Sequence, residues 1–214
     1  RLLADSRVSR VDLDGEIGGA DEISAAQIGA DRVHALSFLG DGVKVAVLDS
    51  GTDVIANPDL DPALIGEECF CSRFGGCCPD RTARQSGPGS AHTVTTHGPG
   101  VMGIIASQGV KAPLGIAPGA RIFMVRVLDD NILAEQSDIL SALDWLIVNV
   151  EGLRVVNMSI AGGPYVAPCE QGHAFNEGIA LLAAAFREKG GLFVAASGNE
   201  GNPGALGSPA CVSS

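Results

Sequence analysis

A chain of 214 residues, 46% hydrophobic and 18% charged, holds enough apolar material for one core and is not a disordered segment. Its net charge of −11 leaves no basic stripe for nucleic acid and disfavours an anionic membrane surface. No apolar run approaches the ~18 residues needed to cross a bilayer; the longest, 179–186, reads as a buried helix face.

Residues 1 to about 25 mix charged and small residues without periodicity and read as a linker or a propeptide remnant. The chain starts at Arg1 without a charged-then-apolar leader, so any secretion signal is expected upstream. Residues 43–49 (VKVAVLD) are a short valine-rich run, the mark of a buried strand. Residues 50–96, rich in Gly, Pro, Ser and Cys, read as a long loop region. A helix is expected over 97–107, with Val101, Ile104 and Ile105 on its apolar face and Pro99 in its first turn. Residues 121–128 (RIFMVRVL) predict a second strand. Ser137 is expected to cap a helix over 137–148, where Ile139, Leu140, Leu143, Leu146 and Ile147 share one face. A third strand follows at 155–159. A helix over 176–189 stops at Gly190-Gly191, and a fourth strand occupies 192–196.

This alternation predicts an α/β fold, a three-layer parallel sheet with helices on both faces. Such sheets bind ligands outside the carboxyl ends of their strands, so the residues just after each strand are the ones to inspect.

Six cysteines stand at 69, 71, 77, 78, 169 and 211. Their even number and clustering predict disulfides and an oxidising compartment. A zinc site is the rival, but Cys-x-Cys followed by Cys-Cys lacks two Cys-x2-4-Cys pairs. Pairing within the cluster stays open; Cys169 and Cys211 are a candidate long-range pair.

Three polar residues occupy the expected rim. Asp49 closes the first strand, where a carboxylate can orient a histidine and stabilise its imidazolium. His97 opens the next helix among small residues that permit close approach of another segment, and histidine is the usual general base. Asn199 follows the fourth strand in Ser197-Gly198-Asn199-Glu200-Gly201, where its amide N–H can donate to an oxyanion; such a donor is worth about 3–4 kcal/mol in the transition state. Each has an ordinary alternative: a turn aspartate, a surface or capping histidine, a turn asparagine. His92 reads as a loop residue.

Taken in order, the segments resemble the subtilisin-like serine proteases. Val45-Ala46-Val47-Leu48-Asp49-Ser50-Gly51 is similar to that family's aspartate motif, and His97-Gly98-Pro99-Gly100-Val101-Met102-Gly103 to its histidine motif. Gly115-Ile116-Ala117-Pro118, Val156-Asn157-Met158-Ser159-Ile160 and Ala196-Ser197-Gly198-Asn199 resemble the segments between and after them. The resemblance runs from about residue 28 to 214. It implies a truncated subtilisin-like domain over 26–214, with a Cys-rich surface insertion at about 66–90. It implies that Asp49 orients His97, that His97 is general base then general acid, and that Asn199 holds the oxyanion. It further implies that Ser159, Ile160 and Ala161 line an extended peptide, and that Ala196, Ser197 and Gly198 wall a side-chain pocket.

The chain also departs from the family pattern. Pro99 and Gly100 replace a threonine and a histidine of the motif. No Gly-Thr-Ser-Met-Ala-x-Pro stretch is present; Ser208 reads as a loop serine, and the nucleophile is expected in sequence beyond Ser214. The expected partners are therefore a polypeptide substrate and a serine-bearing C-terminal segment, with no nucleic acid and no membrane span. The expected location is secreted or extracellular. No cofactor is required; some relatives bind structural calcium, but no ligand-spaced oxygen cluster marks a site here. Two rival readings compete. One is a non-catalytic descendant or fragment that only binds peptides. The other is a Rossmann-type nucleotide domain, disfavoured because Asp49-Ser50-Gly51-Thr52-Asp53 stands where Gly-x-Gly-x-x-Gly is needed.

Overall fold

Alternating apolar runs and helices assemble, in a computed structural model that describes residues 25–53 and 57–213, around a six-stranded sheet. Its strands are β1 (Lys44–Asp49), β2 (Leu64–Phe70), β3 (Arg84–Ser86), β4 (Arg121–Arg126), β5 (Leu153–Met158) and β7 (Leu192–Ala195). Their order is β3-β2-β4-β1-β5-β7. All neighbours are parallel except β3, which runs antiparallel to β2 at the edge. A second small sheet pairs β6 (Gly162–Tyr165) with β8 (Leu206–Ser208). The helices are α1 (Ala30–Ala35), α2 (His97–Ala106), α3 (Gln136–Asn149) and α4 (Ala174–Glu188). The linker expected at the start lies almost wholly outside the described residues.

The sheet divides the core in two, as a parallel sheet covered on both faces must. Side chains of β1 alternate between faces. Val45 and Val47 meet Met102 and Ala106 of α2 on one side. Ala46 and Leu48 meet Leu143 and Leu146 of α3 and Phe186 of α4 on the other. Leu48, Leu143 and Leu146 are fully buried, and each such side chain contributes about 1.5–3 kcal/mol. The three-layer α/β expectation therefore holds.

Four details differ from the sequence reading. Residues 64–70, read as loop, form the parallel strand β2 between β3 and β4. Its sequence, LIGEECF, hides the strand behind a glycine and two glutamates. Gly66 leaves room for the Phe123 ring, which would lie 2.3 Å from a Cβ there. Buried Glu68 is partnered from β3, by an ion pair with Arg84 at 3.2 Å and a hydrogen bond from the Ser86 hydroxyl at 2.6 Å. The Cys-rich insertion consequently begins inside the sheet rather than on the surface. Second, α2 buries Gly98, Met102 and Ala106, while Ile104 is about half exposed, at 51%. Gly98, Met102 and Ala106 thus make the face toward β1, with the expected Val101 and Ile105 packed at its edge, and only Ile104 of the expected apolar face turns outward. Third, α3 starts at Gln136, and Ser137 lies within it instead of capping it. Fourth, the run 179–186 buries Ile179 and Phe186 but exposes Leu181.

Three disulfides form: Cys69–Cys78, Cys71–Cys77 and Cys169–Cys211. The first two staple a short hairpin that leaves the end of β2. The third ties the segment before α4 to the segment after β8, as expected.

Candidate active site

Asp49 is the last residue of β1, and the fold buries it completely. His97 is the first residue of α2. The two meet because α2 packs unusually close to the chain leaving β1. A Cβ on Gly98 would lie 2.0 Å from the Gly51 carbonyl oxygen, and one on Gly51 equally close to that of Ala91. Only glycines permit this double approach, the closeness that small residues around His97 predicted.

The result is a 2.7 Å hydrogen bond between His97 Nδ1 and Asp49 Oδ1. A carboxylate only accepts, so Nδ1 carries the proton and Nε2 is left with its lone pair. Ser50 N–H donates to the same Oδ1 at 2.6 Å, fixing the carboxylate. Asp49 Oδ2 is buried without a partner among the described residues. Ser50 Oγ then accepts from Gly98 N–H at 3.0 Å and from Thr95 Oγ at 2.7 Å. Ser50 and Thr95 thus clamp the strand end to the helix start. Sequence reasoning missed both, since neither hydroxyl has a signal until the two segments meet.

The exposed edge of the imidazole opens onto a cleft of about 530 Å³ at the carboxyl ends of β4, β5 and β7. His97, Ser159, Ile160, Ala161, Ala196 and Asn199 all line it. Ser197 and Gly198 do not: with Glu200 they border a separate, smaller depression. The Ser197 carbonyl is taken by Gly207 N–H at 2.7 Å, and Gly198, at φ 111°, turns the chain away. Leu128, Ile132, Leu133 and Ile139 complete an apolar wall that sequence reasoning did not assign. The rule that ligands lie past strand ends pointed to this stretch, which directly follows β4.

The profile of the Subtilase family (peptidase S8) matches residues 40–214. The chain belongs to the subtilase family. Subtilisin E of Bacillus subtilis (strain 168) is 32% identical over 189 residues, covering 86% of this chain and 42% of the relative. The alkaline protease of Alkalihalobacillus alcalophilus is 32% identical over 213 residues, covering 98% of this chain and 48% of its own. The extracellular serine proteinase of Thermus sp. (strain Rt41A) is 29% identical over 196 residues, covering 86% and 43%. The chain thus spans about half the length of the curated relatives it matches.

In this subtilase segment Ser208, read as a loop serine, sits at the end of β8 and lines the cleft. Its hydroxyl donates to Asn176 Oδ1, and Asn176 Nδ2 donates to the Cys169 carbonyl at 2.9 Å. Among the described residues no hydroxyl bonds His97 Nε2. None of the described His, Cys, Asp or Glu side chains gather in groups of three suited to a metal ion.

Away from His97, Asp59 and Asp129 are among the carboxyls held below their ordinary values. Burial alone would raise Asp59, but the N–H groups of Val110, Lys111 and Ala112 and the Ser107 hydroxyl outweigh it. Burial likewise opposes the shift of Asp129, where Arg73 and the N–H groups of Leu133 and Asn131 prevail. A depressed folded value adds stability above the unfolded value, and that stability fades as pH falls through the folded one. The segment is therefore expected to lose stability below about pH 4. Urea midpoints measured down the pH scale check this; D59N and D129N each flatten the acid slope, and an unchanged slope in both contradicts it.

Proposed function

We propose that this segment supplies the acid–base and oxyanion parts of a secreted serine endopeptidase that cleaves peptide bonds by acyl transfer. The observation that carries the reading is the Asp49–His97 bond, directed so that Nε2 faces the same cleft as Asn199. In the reaction His97 Nε2 takes the proton of a serine hydroxyl as that oxygen attacks the scissile carbonyl, then returns it to the leaving amine. Asp49 holds the tautomer and balances the imidazolium. The Asn199 amide donates to the carbonyl oxygen as it becomes an oxyanion. An extended peptide runs beside Ser159, Ile160 and Ala161 by strand addition. Ala196 walls the side-chain pocket, with Ser197 and Gly198 behind it. The route uses side chains and backbone groups only, and no cofactor is required. Three disulfides support an oxidising, extracellular setting.

The serine comes from a segment outside these 214 residues. The chain alone is expected to turn over neither a peptide ester nor a peptide nitroanilide. Joined to or mixed with a serine-bearing segment, it hydrolyses both, and a fluorophosphonate blocks the reaction. Inhibitor-sensitive turnover by the chain alone would refute the outside serine. No turnover by the completed protein would leave only peptide binding.

A further inference from the structure

The disulfide-stapled hairpin after β2 lies outside the acid–base chemistry, yet its tip is bonded to the apolar wall of the cleft. Arg73 Nε donates to Asp129 Oδ2 at 2.8 Å, and Arg73 Nη1 to Glu135 Oε1 at 3.0 Å. Ser72 N–H and Oγ both donate to Asp138 Oδ2, at 2.7 and 3.0 Å. Asp129 and Asp138 are buried. Asp129 and Asp138 bracket the stretch that carries Ile132 and Leu133 to the cleft, and Ile139, the next cleft residue, directly follows Asp138 in α3.

The stretch between them is not relaxed by itself. Ile132 has φ 61°, a conformation a β-branched residue adopts only when its surroundings impose it. Asp129 imposes it: its Oδ1 accepts from Asn131 N–H at 2.8 Å and Leu133 N–H at 3.0 Å. The second oxygen of that carboxylate is the one Arg73 grips. The hairpin therefore sets the orientation of the group that shapes the wall. Cys71–Cys77 and Cys69–Cys78 in turn limit how far Ser72 and Arg73 can stray.

We propose that Ser72 and Arg73 are positioning residues for substrate selection: through Asp129 and Asp138 they hold the 129–139 wall in the shape that accepts an apolar side chain of an extended peptide. This rests on the peptide-groove reading above. The insertion is thereby part of the recognition apparatus and not a surface decoration.

The test uses the 214-residue chain and two probes, acetyl-Phe-Ala-Ala-Leu-amide and acetyl-Ala-Ala-Ala-Leu-amide. Wild type is expected to prefer the Phe probe in calorimetric titration. R73Q is expected to lose most of that preference. Hydrogen exchange at the Asn131 and Leu133 amides is expected to quicken about tenfold, while β1 and β4 amides stay protected. R73K, which keeps the charge but not the two-pronged grip, falls between, and it carries the test if R73Q does not fold. Unchanged exchange or unchanged preference in these variants, with peptide binding intact, overturns the hairpin's role. Failure of wild type to bind either probe instead overturns the peptide groove itself and the selectivity with it.

Discussion

Changing Asp49 to Asn lowers kcat by about three to four orders of magnitude in a peptidase that pairs this segment with its serine. Asp49 Oδ1 serves two donors at once, His97 Nδ1 and Ser50 N–H. If the new amide turns its nitrogen to that position, two donors confront each other and His97 is pushed into the wrong tautomer. If it turns its oxygen there, its NH2 group occupies the buried Oδ2 position, where no acceptor waits among the described residues. Either way the imidazolium formed during proton transfer loses its counter-charge. KM is expected to stay within about threefold, because Asp49 is fully buried and touches no substrate. Steady-state kinetics on a peptide nitroanilide decide it. A fall in kcat below about tenfold would show that Asp49 is not the orienting acid.

The Gly98→Ala substitution is expected to destabilise the fold by about 2–3 kcal/mol and to reduce activity with it. On helix propensity alone the sign would be opposite, since Ala is favoured over Gly by about 1 kcal/mol. The geometry overrides propensity: the added Cβ stands 2.0 Å from the Gly51 oxygen, a backbone atom that cannot rotate aside. Relief requires α2 to back away from β1, and His97 at its first position moves too. Gly100 in the same helix has open space where its Cβ would be. G100A is therefore the control, expected to be neutral or to gain up to about 1 kcal/mol. Urea denaturation of both variants separates the effects. Equal midpoints for the two would mean that the close approach is not structural.

The legible part of the site was its most local part. Asp49 ends a strand, His97 starts a helix and Asn199 follows shortly after a strand, and those elements show in runs of a few residues. Once the strand order is parallel, their convergence on one rim follows from topology. Ser50 and Thr95 were not legible. Their hydroxyls bond across 45 residues of chain, and nothing in Asp-Ser-Gly or Thr-Thr-His announces the partner. The 196–199 segment was half legible. Its place beside the cleft was expected, but which of its residues turn inward depends on Gly207 claiming the Ser197 carbonyl.

Read alone, the chain dictates the α/β alternation, puts Asp49, His97 and Asn199 at the ends of strands and the start of a helix, and offers Cys169–Cys211 as a candidate link. These are written in short periods and in a few contiguous strings. Left to the folded structure were the place of β2 between β3 and β4, the pairing inside the cysteine cluster, and the grip of Ser72 and Arg73 on the cleft wall. The strand and the grip depend on neighbours further along the chain: buried Glu68 is met by the Arg84 guanidinium and the Ser86 hydroxyl, and Arg73 reaches Asp129 across 56 residues. Local periodicity carries no record of a partner that only the packed chain brings near.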